Sequence, residues 1–308
     1  MRVGFIGLGT MGSSMALNLR AAGYDMVIND IRRAAGAAHL QAGASWADSA
    51  RSVAEAADVV FTSLPGPREV EQVALTEDGL LAGMRRETAW FDLSTNSPTV
   101  VRRLHDLFKA KDVAMLDSPV SGGPAGARSG KLAMWVSGDE TVFNRHKPVL
   151  DAIGDQATYV GPIGAGTVAK LVHNTAGYAI LAALAEVFTL GVKAGVEPLA
   201  LWQAIRQGAF GRSRTFDRLA DQFLLGQFDP AAFALKLAHK DITLATELGR
   251  ELNVPLRIAA LVHEELTEAL NRGWAERDSR IFMLLQEERA GVNIAVPADE
   301  VQEALARG

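Results

Sequence analysis

The sequence predicts an α/β fold in which a doubly wound, mostly parallel sheet is followed by an all-helical C-terminal domain. In the first half, short apolar runs alternate with helical segments, which is the pattern of βαβ units with helices on both faces of a sheet. Beyond residue 166, helical periodicity continues without further strand candidates. The 308 residues also exceed the roughly 100–200 residues of one ordinary domain. We therefore predict two domains, 1–163 and 164–308.

The predicted elements follow one another in a regular order. Strands are expected at 2–7, 25–30, 58–64, 88–94, 113–120 and 132–138, with helices between them at about 10–22, 48–56 and 98–110. The glycine-rich stretch 161–166 indicates a junction between the domains. The long interdomain helix predicted over 165–193 rises about 1.5 Å per residue, enough to belong to both domains. Further helices are expected at 198–207, 235–252, 256–272 and 279–290.

Composition and charge exclude several classes of partner. Because 36 Asp and Glu outnumber 31 Lys and Arg, giving a formal net charge of -5, we expect no nucleic-acid partner and no attraction to an anionic membrane. The chain has no cysteine, which excludes disulfides and thiolate metal sites, and we predict no metal site. No uncharged apolar run reaches the 18 or so residues of a membrane helix, and the first residues lack a leader-like pattern. These features predict a cytoplasmic protein.

A glycine motif follows the first predicted strand. Gly7-x-Gly9-x-x-Gly12, which includes Thr10 and Met11, lies directly after an apolar run and directly before a helix. The first glycine allows a tight turn, the second lets a pyrophosphate approach the backbone, and the third lets helix and strand pack closely. The alternative is a glycine turn without a ligand. In this context the motif predicts a Rossmann-type domain that binds a dinucleotide at the start of the helix.

An acidic residue follows at the distance that such a domain requires. Asp30 lies 18 residues after Gly12, at the end of the second predicted strand, where it can accept hydrogen bonds from ribose hydroxyls. A carboxylate repels a 2′-phosphate, so we predict NAD as the preferred cofactor, with NADP possible. Arg32 and Arg33 leave an alternative open, because they could reach a phosphate or simply begin a helix in solvent.

A second glycine turn and a polar strand end are further candidate sites. Pro124 suits the first position of a helix, so Ser121, Gly122 and Gly123 would present a hydroxyl and bare amides to a small anion. The alternative is a strand-to-helix connection without a ligand. Ser94 is the last residue of the strand predicted at 88–94 and Thr95 follows it, at the strand end where ligands of open α/β sheets bind.

Three polar side chains lie near the start of the long apolar helix. The spacing of Lys170, His173 and Asn174 places them on one helical face. A lone lysine on an apolar helix is often structural. Here the small residues Gly166 and Gly177 leave space beside the polar pair, and a lysine in a dry cleft could perform general acid–base chemistry.

Six segments together resemble one enzyme family, the β-hydroxyacid dehydrogenases. They occur in the expected order over nearly the whole chain, at 4–12, 63–65, 92–98, 117–132, 164–174 and 240–245. The resemblance implies that Lys170 is catalytic and moves the proton of the substrate hydroxyl. It implies that the substrate is a short hydroxy acid, bound by Ser121, Gly122, Gly123 and Asn174. The cofactor contacts that it implies, besides the glycine motif and Asp30, are Leu64, Pro65, Thr95 and Lys240.

The resemblance also leaves alternatives. Lys-x-x-His-Asn is the pattern of the larger 6-phosphogluconate dehydrogenases, but Gly177 stands where their acidic residue lies. The role of His173 stays open between a polar helper and a helix residue. Arg212 and Arg214 could bind a second acidic group of the substrate or lie on the surface. A noncatalytic NAD(P)-binding protein is the rival class, and the family implies a homodimer or homotetramer.

Overall fold

The structure is a computed structural model that describes residues 1–208, 218–220 and 222–306. It confirms the predicted fold class. The chain forms two compact units, Met1–Val172 and His173–Gly308. The first unit contains the sheet together with the first two turns of the long helix, whereas the sequence analysis ended its first domain at residue 163.

Nine strands form the sheet of the first unit. They are β1 Arg2–Ile6, β2 Asp25–Asn29, β3 Ser45–Trp46, β4 Val59–Thr62, β5 Ala89–Asp92, β6 Ala114–Asp117, β7 Val120–Ser121, β8 Ala133–Ser137 and β9 Gln156–Gly161. Their order is β3-β2-β1-β4-β5-β6-β8-β7, and β9 pairs with β8. The pairs of β8 with β6 and with β7 are antiparallel, and the other pairs are parallel.

The central strands are apolar because both faces of the sheet are covered. On one face, Phe5, Phe61 and Phe91 lie in register on β1, β4 and β5, and their ring centroids are 6.3 Å and 5.4 Å apart. On the opposite face, Trp90 packs against Phe108 at 4.8 Å between ring centroids. The two faces belong to separate buried clusters, which is the arrangement of a doubly wound sheet.

Eight helices of the first unit connect these strands. They are α1 Gly12–Ala21, α2 Ala37–Gln41, α3 Ala50–Ala56, α4 Pro67–Leu75, α5 Leu80–Gly83, α6 Pro98–Lys109, α7 Gly123–Ser129 and α8 Glu140–Leu150. No helix was predicted for α2, α4, α5 and α8, and no strand was predicted for β3 and β9. It was also wrong to expect one strand over 113–120, because Pro119 separates β6 from β7 and cannot donate a ladder hydrogen bond.

The second unit is helical over the part of it that the structure describes. The long helix α9, Ala165–Lys193, enters it from the first unit and is followed by α10 Pro198–Gln207, α11 Leu235–Glu251, α12 Arg257–Asn271, α13 Leu284–Ala290 and α14 Ala298–Ala306. The predicted helix 279–290 is a 3₁₀ segment, Ser279–Met283, followed by α13. The core of the second unit includes the buried side chains of Phe188, Trp202, Phe223, Phe228 and Phe282.

One segment of α9 has the length and composition of a membrane span. In the described parts of the chain, Ala165–Ala185 alone meets this criterion, and 22% of it is buried. Lys170 interrupts the run, which is why the sequence contains no uncharged stretch of that length.

Candidate active site

The loop after β1 is closed against the protein at two of its glycines and open at the third. Gly7 has a φ of +94°, and a Cβ there would lie 2.3 Å from the carbonyl oxygen of Ser63. A Cβ on Gly12 would lie 1.9 Å from the carbonyl oxygen of Gly7. At Gly9, by contrast, a Cβ would meet no atom within 4 Å. Only Gly9 therefore borders open space.

Helix α1 begins beside this space without a side-chain cap. Met11 occupies the N-cap position without a side-chain hydrogen bond, and the first turn contains no Asp or Glu. No side chain therefore neutralises the partial positive charge that the helix dipole places at this end. A cradle is formed by the backbone of Gly9, Thr10 and the start of α1. A Cβ on Gly9 would project into its open space. The cradle fits the pyrophosphate of a dinucleotide.

Asp30 holds the glycine loop from the end of β2. Its carboxylate, only 7% exposed, accepts hydrogen bonds from the backbone N–H of Leu8 at 2.7 Å and of Arg32 at 2.8 Å. Each carboxylate oxygen can accept two hydrogen bonds. Asp30 can therefore fix the loop and still accept a bond from a ribose hydroxyl.

Arg33 has partners of its own near this loop. Its guanidinium lies over the ring of Trp46, 5.1 Å from the ring centroid, and its Nη1 lies 3.0 Å from Oδ1 of Asp48. The indole N–H of Trp46 donates to the same oxygen at 2.9 Å. These contacts favour the alternative in which Arg33 begins a helical turn at the surface, rather than the one in which it reaches a phosphate.

A buried carboxylate connects the loops that follow β4 and β5. Asp92, the last residue of β5, accepts hydrogen bonds from the hydroxyl of Thr62 at 2.9 Å and from the backbone N–H of Ser94 at 3.1 Å. Its other oxygen accepts from the side-chain amide of Asn96 at 3.0 Å. Ser94 Oγ accepts a hydrogen bond from the backbone N–H of Leu64 at 2.9 Å. One carboxylate thus fixes both loops.

Electrostatics and function are linked at this position. Burial raises the pKa of Asp92 above its ordinary value, because burial disfavours the charged form, and neutral hydrogen-bond donors offset only part of the effect. The free-energy cost of burying this carboxylate arises where the two loops carry three of the predicted cofactor contacts, Leu64, Pro65 and Thr95. We infer that order in these loops is the reason for the buried charge.

The second glycine turn leads from β7 into α7. Gly122 and Gly123 have φ angles of +132° and +62°, a region that favours glycine. A Cβ on Gly123 would meet no atom within 4 Å. Helix α7 begins at Gly123, so Pro124 is its second residue rather than its first as predicted, and the first turn has no acidic residue or side-chain cap. The turn therefore offers backbone amides, beside the half-buried Ser121, to a small anion.

Lys170 lies in the first unit, on the second turn of α9, and is half-buried. The start of this helix is held by the last residue of β6, since the Asp117 carboxylate accepts hydrogen bonds from the backbone N–H groups of Gly164 at 2.8 Å and Thr167 at 2.6 Å. The chain that leaves β6 leads within four residues to Ser121. The predicted catalytic amine and the predicted carboxylate-binding turn are therefore both attached to the end of β6.

Two further predicted residues belong to the second unit. The side-chain amide of Asn174 donates to Oδ2 of Asp241 at 2.6 Å. The ammonium of Lys240 lies 3.0 Å from Oδ1 of the same carboxylate, which is almost completely buried. Asp241 therefore connects a predicted substrate residue with a predicted cofactor residue, while His173 is exposed.

Sequence reasoning missed the three buried aspartates that organise these residues, Asp92, Asp117 and Asp241. Each lies inside one of the six segments that carry the family resemblance, but no periodicity distinguishes an aspartate that holds a loop from one that faces solvent. The signal that could have found them is position, since Asp92 and Asp117 each end an apolar strand. Arg212 and Arg214 lie outside the described residues. Among the described side chains, no group of three or more Asp, Glu or His is placed to hold a metal ion.

Two family models match the chain in sequence. The one described as the NAD binding domain of 6-phosphogluconate dehydrogenase matches residues 2–161. The one described as the NAD-binding of NADP-dependent 3-hydroxyisobutyrate dehydrogenase matches residues 164–285. Together the two models account for most of the chain.

Similar proteins agree with this assignment. The chain is 35% identical over 295 residues to 2-(hydroxymethyl)glutarate dehydrogenase of Eubacterium barkeri, covering 96% of this chain and 98% of that protein. It is 34% identical over 289 residues to NAD-dependent L-serine dehydrogenase of Pseudomonas aeruginosa, covering 92% and 97%. Among solved structures, 3-hydroxyisobutyrate dehydrogenase from Salmonella typhimurium has a TM-score of 0.82 at 29% identity, covering 92% of this chain and 99% of that one.

Proposed function

Because the chain belongs to the β-hydroxyacid dehydrogenase family and is an NAD(P)-dependent oxidoreductase, we propose that Lys170 handles the hydroxyl proton of a short β-hydroxy acid. The observation that carries this proposal is the common attachment of Lys170 and the turn at 121–123 to the end of β6. An amine and an anion-binding turn fixed to one strand end are the two groups that a hydroxy acid requires.

The residues divide the work between binding and proton transfer. Gly9 and the start of α1 would hold the cofactor pyrophosphate, and Asp30 would hold its adenosine ribose. When bound, the nicotinamide supplies or accepts the hydride. The turn at 121–123 orients the substrate carboxylate. In oxidation the Lys170 amine accepts the hydroxyl proton, and in reduction its ammonium donates a proton to the carbonyl oxygen.

The proposed substrate class is supported by the substrates that appear in the names of the similar proteins. The acids 2-(hydroxymethyl)glutarate, L-serine and 3-hydroxyisobutyrate each carry a hydroxymethyl group on the carbon next to a carboxylate. They differ in the remaining substituent on that carbon. We propose that this chain acts on the shared part, a primary alcohol β to a carboxylate, with a substituent still to be identified.

We further propose that NAD is preferred over NADP. The nearly buried carboxylate of Asp30 directly follows β2, where a 2′-phosphate would approach, and two charges of the same sign repel there. Arg33 is engaged by Trp46 and Asp48 and would have to leave both to neutralise a phosphate.

The test of this function is Lys170→Met, assayed by absorbance at 340 nm with a panel of β-hydroxy acids and their aldehydes. We expect turnover to fall at least about 10²-fold, the lower end for loss of a general acid–base group, with NADH affinity little changed. Assays of the wild-type protein with NAD and with NADP measure the preference.

The same helix offers a matched control. Lys193 ends α9, and its ammonium donates to the carbonyl oxygen of Ala290 at 2.8 Å. Lys193→Met removes an equivalent charge from α9 and should leave turnover unchanged. Wild-type turnover in Lys170→Met would remove Lys170 from its catalytic role.

We also propose a homo-oligomer. Exposed apolar side chains gather where α11 leads into α12, namely Leu252, Val254, Ile258 and Leu261. Exposed apolar surface is often covered by another protein, and a second copy of the chain is the partner that the family leads us to expect.

A further inference from the structure

The Asp117 carboxylate is saturated with hydrogen-bond donors. Besides the two backbone N–H groups at the start of α9, it accepts a hydrogen bond from the Thr167 hydroxyl at 2.7 Å and one from the Ser137 hydroxyl. Ser137 Oγ also accepts a hydrogen bond from the backbone N–H of Gly166 at 2.9 Å. Each carboxylate oxygen therefore receives two donors, which is its full capacity.

The start of α9 packs directly against the strands. A Cβ on Gly166 would lie 2.2 Å from the carbonyl oxygen of Trp135 and 3.2 Å from that of Asp117. Thr167 and Asp117 are almost completely buried. Because backbone meets backbone here, the helix cannot shift toward the sheet. The hydrogen bonds to Asp117 keep the helix start from moving away from the sheet.

Only an ionised carboxylate satisfies this arrangement. One oxygen of Asp117 accepts from the Gly164 N–H and the Ser137 hydroxyl, and the other accepts from the N–H and hydroxyl of Thr167. The amide nitrogen of an asparagine at position 117 would replace one of these oxygens and face two donors with its own N–H groups. The hydroxyls of Thr167 and Ser137 could rotate, but the backbone N–H of Gly164 or of Thr167 could not. One of these two backbone groups would lose its acceptor, and the helix start would have to move.

We propose that Asp117 is the positioning residue for Lys170. It fixes the first turn of α9 against β6, so that the amine three residues after Thr167 keeps a set position relative to the turn at 121–123. It also keeps a negative charge beside the first turn of the helix that carries this amine. This inference rests on the proposed role of Lys170.

The experiment compares Asp117→Asn with Asp139→Asn, a matched control. Asp139 caps α8, where its carboxylate accepts from the N–H groups of Thr141 at 2.8 Å and Val142 at 3.1 Å, and α8 carries no predicted site residue. We expect Asp117→Asn to lower kcat about 10²-fold, the effect of a displacement of about 1 Å, with NADH affinity retained. Asp139→Asn should lower thermal stability and leave kcat unchanged.

The pH profile separates a positioning role from a structural one. Loss of the negative charge at 117 favours the neutral amine, so the limb of the reductive kcat profile that reports Lys170 should move to lower pH. Thr167→Val removes one hydroxyl bond but keeps the charge. It should lower kcat without moving the limb, and Thr167→Ser should restore kcat. Should Asp117→Asn fail to fold, the two Thr167 variants still test the inference.

A double variant distinguishes the possible failures. If Asp117 acts through Lys170, Asp117→Asn should cause no further loss of kcat in a Lys170→Met background. Two results would overturn the inference and leave the proposed function standing. In one, Asp117→Asn lowers kcat by the same factor in the Lys170→Met background as in the wild-type background. In the other, Asp117→Asn keeps wild-type kcat although Lys170→Met is impaired. Wild-type turnover in Lys170→Met would overturn both.

Discussion

Two glycines of the loop after β1 should respond to the same substitution in opposite ways. In Gly9→Ala the added methyl meets no protein atom within 4 Å, and Gly9 is not among the glycines with positive φ. The free energy of unfolding should therefore stay constant or rise by about 0.4–1 kcal/mol, because alanine restricts the unfolded chain. The methyl would instead occupy the space that the pyrophosphate needs.

The cost to cofactor binding can be worked from this geometry. If the methyl prevents two hydrogen bonds to the charged pyrophosphate, each contributing about 1.5–3 kcal/mol, the loss is about 3–6 kcal/mol. The Kd for NADH should rise about 10²–10⁴-fold, since 1.4 kcal/mol corresponds to a factor of ten. Gly12→Ala should behave differently. Its methyl would lie 1.9 Å from the Gly7 carbonyl oxygen, so we expect a loss of stability of more than about 1 kcal/mol as well as weaker binding.

Fluorescence titration with NADH measures the affinity, and urea unfolding of the same samples measures the stability. A Gly9→Ala protein that bound NADH like the wild type would refute the assignment of this loop to the pyrophosphate. A Gly12→Ala protein as stable as the wild type would refute the close packing of the loop on Gly7.

Two further predictions concern the second unit. Burial, and secondarily the neighbouring His263, lowers the pKa of His239 below 6.5, so the folded state prefers the neutral ring and the free energy of unfolding should fall as pH decreases below about 6.5. Urea unfolding at pH 7.5 and 5.5 should show a smaller difference in His239→Gln than in wild type, and an equal difference would contradict the assignment. Leu261→Asp, on the exposed apolar surface of α12, should lower the mass measured by light scattering during gel filtration, whereas an unchanged oligomer would exclude this residue from the interface.

The sequence predicted the continuously apolar strands and the glycine motif well, for a physical reason. Strands β1, β4 and β5 are buried on both faces and therefore appear as continuous apolar runs. Other elements escaped prediction. Strand β3 has two residues, too few for any periodicity, and α8 contains Pro148 in its interior, which interrupts the usual helix signal.

The candidate site was predictable as a set of residues but not as a set of contacts. The glycines, Asp30 and Lys170 are recognisable because the chemistry requires those residue types at those positions. The bonds from Asp117 to Gly164 and Thr167 span about 50 residues of chain, and only the folded sheet brings their ends together. Asp241 lies directly beside the predicted Lys240, yet its bond to Asn174 depends on how α11 packs against α9.

Asp92 and Asp117 are direct neighbours in the register of β5 and β6. The buried acid at the end of β5 is an unfavourable choice for a protein selected for heat resistance alone, because burial disfavours its charged form. Burial raises the pKa of Asp92 in the folded state above its value of 3.8 in the unfolded chain. Ionisation of Asp92 therefore lowers the free energy of unfolding once the pH exceeds 3.8. Directed evolution toward a higher melting temperature should therefore replace Asp92 by a neutral residue, and the variants obtained should melt later but turn over more slowly.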